Sequence, residues 1–240
     1  MLSKNQIKLI NQLNQKKQRK KHQLFFAEGI KTVKELLNSP YELEVLFTTA
    51  DVLFTEGSKT QLISEKELKK ISNLKTPQTV LGVFKIPDTP LNLEAKISIV
   101  LDGVRDPGNL GTIIRLCDWF GIKQLICSSD TVDCYNPKTV QAAMGSLARV
   151  QVNYIDIEQF LSETDLPVFG TFMDGKNIYR QNLPEQALIV MGNEANGIRP
   201  AIENLITQRV AIPQFGEIKE TESLNVGTAT AIVISEFMRG

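Results

Sequence analysis

The sequence has few of the residues that metal-based or histidine-based chemistry requires. Among 240 residues there is one histidine, His22, and there are three cysteines, none of them in a paired CxxC spacing. A structural zinc site needs several such ligands at short spacings, and catalysis by imidazole needs a histidine in a cleft. We therefore expect no metal site and no disulfide framework, and we expect Cys117, Cys127 and Cys134 to be small thiols in or near the core.

Long apolar runs and an excess of charge are also absent. Lysine and arginine together number 27, as do aspartate and glutamate, so the formal net charge is zero. No run approaches the roughly 20 apolar residues that span a bilayer, and the N-terminus lacks the apolar core of a signal peptide. The sequence predicts a cytoplasmic protein, in which any binding to nucleic acid must depend on an uneven distribution of charge.

That unevenness lies at the N-terminus, where seven lysines and arginines fall between Lys4 and His22 and no acid precedes Glu28. Ser3 is a suitable cap for a helix, and the apolar residues that follow would form one stripe of it. The basic residues would then cover the opposite side. A solvated helix face and an RNA contact explain them equally well. The predicted stripe consists of Ile7, Leu9, Ile10 and Leu13.

The first part of the chain predicts a small α/β domain. Short apolar segments at residues 24–27, 45–48 and 79–85 are typical of strands, and residues 31–37 form an amphipathic helical pattern. Ser64 and Glu67 have the spacing of a capping box, which predicts a helix to about Ser72. Pro87 and Pro90 then interrupt regular structure. We predict a basic helical segment at 1–22, a domain at 23–86, a linker at 87–96 and a second domain at 97–240.

The second domain changes to nearly continuous apolar strands. Strands without polar alternation are buried on both faces, which indicates a parallel sheet covered by helices. In such sheets ligands bind outside the carboxyl ends of the strands, where backbone amides and helix N-termini are available. The predicted strands are residues 97–101, 124–127, 150–153, 168–172, 187–191 and 209–212.

Loops rich in glycine and polar residues follow three of these strands. The first contains Asn109-x-Gly111-x-x-x-Arg115 and is expected to lead into a helix at residues 112–120. It has neither the G-x-G-x-x-G spacing of a dinucleotide site nor the terminal Lys-Ser/Thr of a P-loop. The second is Gly192-Asn193-Glu194-x-x-Gly197, and the third joins Ile212-Pro213 to Ser223-Leu224-Asn225.

Together these loops resemble the three motifs of the SpoU family of RNA 2′-O-ribose methyltransferases. Their order, residue types and internal spacing agree over about 130 residues, and Asn136-Pro137-Lys138 and Met144-Gly145 resemble the family's intervening segment. The segment that opens with Phe26-Ala27-Glu28-Gly29 resembles the accessory substrate-binding domain, built like a small ribosomal protein, that many members carry.

The resemblance implies a SPOUT fold, in which the C-terminal part of the α/β domain forms a trefoil knot. It also implies a dimer formed through this domain and binding of S-adenosylmethionine by the knot loops. The glycines would let the backbone approach the cofactor closely, and the two apolar side chains would line an adenine slot. Carried over motif by motif, the cofactor residues are Thr171, Gly192, Gly197, Ile212 and Leu224.

The same resemblance implies the catalytic set. Arg115 matches the family's catalytic arginine, and because a guanidinium keeps its proton at neutral pH, we assign it to gripping phosphate and stabilising negative charge on the ribose oxygen rather than to acting as a base. Asn109 and Glu194 would orient Arg115 and the ribose, and Ser223 and Asn225 would complete the pocket. Read singly, Asn109 and Ser223 also fit as helix N-caps.

Two features depart from the family pattern. Residues 214–222, between Pro213 and Ser223, form a longer and more acidic stretch than is common, and Gln141 stands where many relatives have a basic residue. The expected function is methylation of ribosomal RNA, with transfer RNA as the alternative substrate. A non-catalytic RNA-binding or ribosome-assembly protein of the same fold is the alternative from another class.

Overall fold

A computed structural model describes residues 1–50, 52–53, 59–91, 96–216 and 223–239. The helices are α1 (Lys4–Gln12), α2 (Lys16–His22), α3 (Ile30–Leu37), α4 (Glu65–Leu68), α5 (Pro107–Trp119), α6 (Pro137–Ala143), α7 (Ile157–Ser162), α8 (Pro200–Glu203) and α9 (Val226–Met238), with 3₁₀ helices at Met144–Ala148 and Ile178–Arg180. The strands are β1 (Leu24–Glu28), β2 (Leu43–Thr48), β3 (Thr60–Leu62), β4 (Val80–Lys85), β5 (Ile97–Leu101), β6 (Gln124–Cys127), β7 (Gln151–Tyr154), β8 (Val168–Asn177), β9 (Ala187–Met191) and β10 (Gln208–Ala211).

The chain forms two compact units whose limits differ from the predicted domains. The first unit is Met1–Asp88 together with Asp133–Arg149, and the second is Thr89–Val132 together with Val150–Gly240. The segment Asp133–Arg149 thus leaves the predicted second domain and packs in the first unit, where a Cβ on Gly145 would come within 2.4 Å of the Glu35 side chain. The predicted linker is also divided, because Thr89 and Leu91 belong to the second unit.

The first unit is built on a four-stranded sheet in the order β1-β4-β2-β3, antiparallel except for the β2–β3 pair. Ser3 caps α1 through a capping box with Gln6, and Ile10 and Leu13 are buried as the apolar stripe predicted. The capping box of Ser64 and Glu67 is also present, but α4 ends at Leu68 rather than near Ser72, because the chain continues in turns.

The second unit confirms the predicted parallel sheet. Its six strands lie in the order β10-β8-β9-β5-β6-β7 and every neighbouring pair is parallel. From β5 the chain moves outward to β6 and β7 on one side of the sheet. Strands β8, β9 and β10 then form the other side, with β9 next to β5. The strand order therefore reverses between β5 and β9, which is where ligands bind in open sheets of this type.

The three cysteines are buried, in agreement with the expectation that they are core thiols. Burial raises the pKa of the Cys117 thiol to about 12, so it stays protonated at neutral pH. In the part of the chain that the structure describes, no helix is long and apolar enough to span a bilayer.

Candidate active site

A chain of side-chain hydrogen bonds joins the three sequence motifs at the switch point of the sheet. Asn109 Nδ2 donates to Glu194 Oε1 at 2.9 Å, and Asn225 Nδ2 donates to Asn109 Oδ1 at 2.9 Å. The second Glu194 oxygen accepts from the Arg105 amide at 3.5 Å. Asn109 therefore bridges the loop after β9 and the start of α9, and three of the five predicted catalytic residues are in direct contact.

The N-caps of α5 and α9 are not Asn109 and Ser223, the two residues that also fit as caps in the sequence. Helix α5 begins at Pro107 rather than Thr112, because Asp106 caps it by accepting from the Asn109 amide at 2.8 Å. Asn109 lies in the first turn and does not cap. Helix α9 is capped by Asn225, whose Oδ1 accepts from the Gly227 amide at 2.9 Å, and not by Ser223. Because Asn225 Oδ1 is occupied by its own helix, its Nδ2 is directed to Asn109.

The loop after β9 is closed on itself by backbone hydrogen bonds. Asn193 and Gly197 exchange two amide–carbonyl bonds of 2.9 Å each, and Asn193 Oδ1 accepts from the Ala195 amide at 2.9 Å. Gly197 has a φ of +67°. A Cβ on Gly192 would lie 2.4 Å from the Gly197 carbonyl carbon, so only glycine permits this closure. The loop thereby holds Glu194 at its outer end.

Two anchors of this loop were not predicted from the sequence. Asp102, buried directly after β5, accepts from the Arg199 amide at 2.8 Å and from Arg199 Nε at 2.6 Å. Asn193 Nδ2 donates to the Gly103 carbonyl at 2.6 Å. A charged residue directly after a buried strand is a signal that could have identified Asp102. Its partner lies 97 residues away, and no local pattern indicates that pairing.

A second carboxylate lies beside the loop after β5. Ser128 Oγ donates to Asp130 Oδ1 at 2.7 Å, and this hydrogen bond lowers the pKa of Asp130 below its ordinary value. Asp130 Oδ2 lies 3.8 Å from Arg105 Nη2, and Arg105 is largely exposed. The rim of the site therefore carries a charged Asp130 and an accessible arginine.

The structure does not pair Arg115 with Glu194. Arg115 is exposed in the third turn of α5 and makes no ion pair or side-chain hydrogen bond with the described part of the chain. Glu194 instead contacts Asn109 and the Arg105 amide, so the prediction that it orients Arg115 is not supported by any described contact. Ser223 is exposed and begins the last described segment. Residues 217–222, which make up most of the acidic stretch noted in the sequence, lie outside the described residues.

Four of the five predicted cofactor residues lie within or after three neighbouring strands, β8, β9 and β10. Thr171 follows the pairing of β8 with β9, and its Oγ1 donates to the Val190 carbonyl at 3.4 Å. Gly192 and Gly197 follow β9, and Ile212 follows β10. Leu224 precedes α9 and is 47% exposed.

These residues fit a methyl donor with an adenosyl group. Among the described residues, no atom lies within 4 Å of a Cβ placed on Gly197, which leaves room for a ligand to approach the backbone there. Half-buried Ile212 and exposed Leu224 supply apolar surface for a base, and Thr171 supplies a hydroxyl near the same strand ends. The set contains backbone groups and neutral side chains, which suits a cofactor held mainly by shape and amide hydrogen bonds.

The hydrogen-bond chain makes a direct prediction for Asn109→Asp. The new carboxylate can still accept from Asn225 but cannot donate to Glu194, and it places two negative oxygens in contact. Since a hydrogen bond to a charged group contributes about 1.5–3 kcal/mol, we expect the rate of methyl transfer to fall by about tenfold or more. Asn204→Asp adds the same charge to an exposed position outside the site and serves as the control. A wild-type rate for Asn109→Asp, measured with labelled methyl donor, would contradict a functional bridge.

Comparison with known proteins agrees with this geometry. A family model described as the SpoU rRNA Methylase family matches residues 96–235, and one described as an MRM3-like substrate binding domain matches residues 4–82. The 23S rRNA (guanosine(2553)-2′-O)-methyltransferase RlmP of Bacillus subtilis is 30% identical over 242 residues, which cover 97% of this chain and 96% of the relative.

Solved structures of RNA methyltransferases also superpose on this chain. A TrmH-family chain from Porphyromonas gingivalis superposes with a TM-score of 0.91 at 40% identity, covering 99% of this chain and 98% of the other. An AdoMet-bound rRNA methyltransferase from Sinorhizobium meliloti superposes with a TM-score of 0.88 at 29% identity, covering 100% and 96%. The chain belongs to the SpoU rRNA methylase family and carries an N-terminal domain of the MRM3-like substrate-binding type.

Proposed function

We propose that this protein is an S-adenosylmethionine-dependent methyltransferase that modifies a ribose 2′-hydroxyl of ribosomal RNA. The observation that carries the proposal is the hydrogen-bonded chain Glu194–Asn109–Asn225, which assembles the three family motifs at the carboxyl ends of parallel strands. Two of the relatives named above, from Bacillus subtilis and Sinorhizobium meliloti, align over nearly the whole chain and are named as rRNA methyltransferases. We also propose that the enzyme acts in the cytoplasm, and a ribosomal substrate is compatible with this.

The chemistry requires a nucleophilic ribose oxygen aligned with an electrophilic carbon. The bound cofactor supplies a methyl group attached to a positively charged sulfur. Thr171 and the closed loop Gly192–Gly197 would hold the cofactor at the strand ends, with the adenine against Ile212 and Leu224. Alignment of the two reacting atoms contributes much of the acceleration in such reactions. We propose that the C-terminal segments carrying these loops form the trefoil knot that the family implies.

Arg115 is the one predicted catalytic residue that has a fixed charge and no described partner. An unpaired, exposed guanidinium is available to a phosphate, and its fork of donors matches two phosphate oxygens. We assign Arg115 to gripping the phosphate beside the target ribose and to stabilising negative charge that develops on the 2′-oxygen. Ser223 and Asn225, at the start of α9, would complete the ribose side of the pocket.

The basic helix α2 is proposed as an RNA contact of the first unit. It contains no acidic residue, and all of its lysines are exposed, whereas Arg19 is buried and paired with Asp133. Arg19 therefore fixes the helix, and Lys17, Lys20 and Lys21 remain for phosphate. Sequence analysis could not choose between a solvated face and an RNA contact. The separation of Arg19 from the lysines favours the contact. The available lysines include Lys17, Lys20 and Lys21.

Removal of these lysines should weaken RNA binding without affecting the affinity for the methyl donor. We expect the Lys17, Lys20 and Lys21 triple alanine variant to lower the slope of log affinity against log salt concentration by about 2, since each phosphate contact contributes about 0.7–0.9. Titration of RNA at several salt concentrations measures this slope. The control removes Lys66, Lys69 and Lys70, which are exposed on and after α4 in the same unit. Equal slopes for the two variants would refute a specific contact by α2.

We also propose that the protein is a homodimer through the C-terminal domain. A groove between α5 and α9 is lined by apolar and aromatic side chains, among them Leu116, Tyr179 and Ile232. Trp119, at its edge, is 83% exposed and lies one turn after Arg115 on α5. Burial of this surface by a second copy would place Arg115 at the subunit boundary. Light scattering with size exclusion tests this, and a monomer near 26.8 kDa would contradict it.

The function is tested by calorimetric titration with S-adenosylmethionine followed by methyl transfer to purified RNAs. We expect binding of the cofactor and labelling of ribosomal RNA at a ribose oxygen. Labelling of transfer RNA alone would show that the substrate is transfer RNA, and the proposed ribose methylation would still hold. Absence of cofactor binding would favour a non-catalytic RNA-binding protein and overturn the proposal.

A further inference from the structure

Strand β8 contains a five-residue bulge at the position of the proposed cofactor pocket. Gln208 and Arg209 of β10 pair with Phe169 and Gly170, but the next residue, Val210, pairs with Lys176. Residues 171–175 therefore leave the ladder between two consecutive residues of β10. Bulges of this kind re-aim side chains and are common beside active sites.

The bulge begins at Thr171, beside the end of β9. Gly170 pairs with Val190, and Thr171 Oγ1 donates to the Val190 carbonyl at 3.4 Å and lies 3.8 Å from Met191 Sδ. The loop that starts at Gly192 follows directly. The conformation of the bulge therefore sets the position of Thr171 beside the strand end from which that loop starts.

Arg209 holds the bulge from the adjacent strand. Its Nη2 donates to Asp174 Oδ1 at 2.6 Å, and its guanidinium carbon lies 3.6 Å from the centroid of the Phe172 ring. Both partners lie within the bulge. The hydrogen bond from Arg209 lowers the pKa of Asp174, so the carboxylate remains charged. Its other nitrogen, Nη1, pairs with Glu203 of α8, which is outside the bulge.

A glycine lets the bulge return to the sheet. A Cβ on Gly175 would lie 2.4 Å from the Val210 carbonyl carbon, so no larger residue fits there. The bulge is thus fixed at its start by Thr171, at its middle by Arg209 and at its end by Gly175. Of these, Arg209 is the one that holds the bulge with a side chain from another strand.

We propose that Arg209 is a positioning residue for the methyl donor, acting through Asp174 and Phe172 to hold the β8 bulge, and with it Thr171, in the binding conformation. This rests on the proposed function of the site. It assigns a role to a residue that does not itself touch the cofactor and that lies outside the three sequence motifs. Loss of the contacts between Arg209 and the bulge should weaken cofactor binding and leave RNA binding unchanged.

Two carboxylates on the same guanidinium provide a matched test. Asp174→Ala removes the contact to the bulge, and Glu203→Ala removes the contact to α8. We expect Asp174→Ala to raise the Kd for S-adenosylmethionine about fivefold, near the upper limit for a partly exposed ion pair, and Glu203→Ala to change it by less than about twofold. Arg209→Met, which loses both contacts to the bulge, should raise it by about tenfold or more.

Calorimetry with S-adenosylmethionine, RNA titration and steady-state kinetics on the full chain distinguish the outcomes. Support requires a raised Kd and KM for the cofactor in Asp174→Ala, with the KM for RNA and the thermal midpoint close to those of Glu203→Ala. Equal cofactor affinity in the two alanine variants would overturn the positioning role, whether both are weakened or neither is. Failure of the wild-type protein to bind the cofactor would instead overturn the proposed function on which the inference rests.

Discussion

Replacement of Arg115 by alanine is expected to lower the turnover of methyl transfer by about a hundredfold to a thousandfold. This is the usual effect of losing one donor that stabilises charge in a transition state. Arg115 is exposed and has no described partner within the chain, so its removal leaves no buried group unsatisfied. The free energy of unfolding and the affinity for S-adenosylmethionine should therefore stay close to the wild-type values.

Arg115→Lys separates charge from geometry at this position. Lysine keeps the positive charge but lacks the planar fork that binds two phosphate oxygens at once. We expect its turnover to fall between those of the wild-type protein and the alanine variant. Single-turnover measurements with saturating RNA would show the loss in the chemical step. A near-normal rate for Arg115→Ala would remove the residue from the catalytic set.

The second large effect concerns stability. Asp133→Ala should lower the free energy of unfolding of the first unit by about 3–5 kcal/mol, because it leaves a buried guanidinium unpaired. Arg19 is 2% exposed, and its Nε and Nη2 donate to Asp133 Oδ2 at 2.9 and 2.6 Å. The remaining donation from Arg19, to the Leu13 carbonyl at 2.7 Å, does not neutralise the charge. Denaturant unfolding followed by circular dichroism measures the loss.

Two variants make this stability test specific. Glu185→Ala removes an ion pair with Lys96 whose side chains are both largely exposed, and it should change the unfolding free energy by less than about 1 kcal/mol. The double variant Arg19→Met with Asp133→Ala replaces the buried pair by apolar groups and should recover much of the loss. A change below about 1 kcal/mol in Asp133→Ala alone would show that the buried pair is not a main stabilising contact.

Local patterns were sufficient for most of the secondary structure. The strands at Gln124–Cys127 and Ala187–Met191 lie where the apolar runs predicted them, since a strand buried on both faces needs an uninterrupted apolar segment. The N-cap predicted at Ser3 and the capping box predicted at Ser64 also marked true helix starts. The start of α5 was misplaced by five residues, because Asp106 and Pro107 were interpreted as loop although they are typical of an N-cap and the first helical position.

Contacts between distant residues could not be predicted in this way. Arg19 and Asp133 are separated by 114 residues, and in sequence Arg19 looks like one more member of a basic run. The β8 bulge was not expected either, because its five residues follow an ordinary apolar strand and its fixing residue lies on β10. The motif resemblance predicted that Asn109, Glu194 and Asn225 belong to one site, and the structure brings them into contact. It also implied that Glu194 orients Arg115, whereas the described side-chain partner of Glu194 is Asn109.

The central claim is most directly tested by mapping ribose methylation at nucleotide resolution in RNA from cells that lack the protein. We predict the loss of a 2′-O-methyl group in ribosomal RNA, its return when the wild-type protein is supplied, and no return with Arg115→Ala. An unchanged methylation map of ribosomal and transfer RNA in cells without the protein would contradict the account.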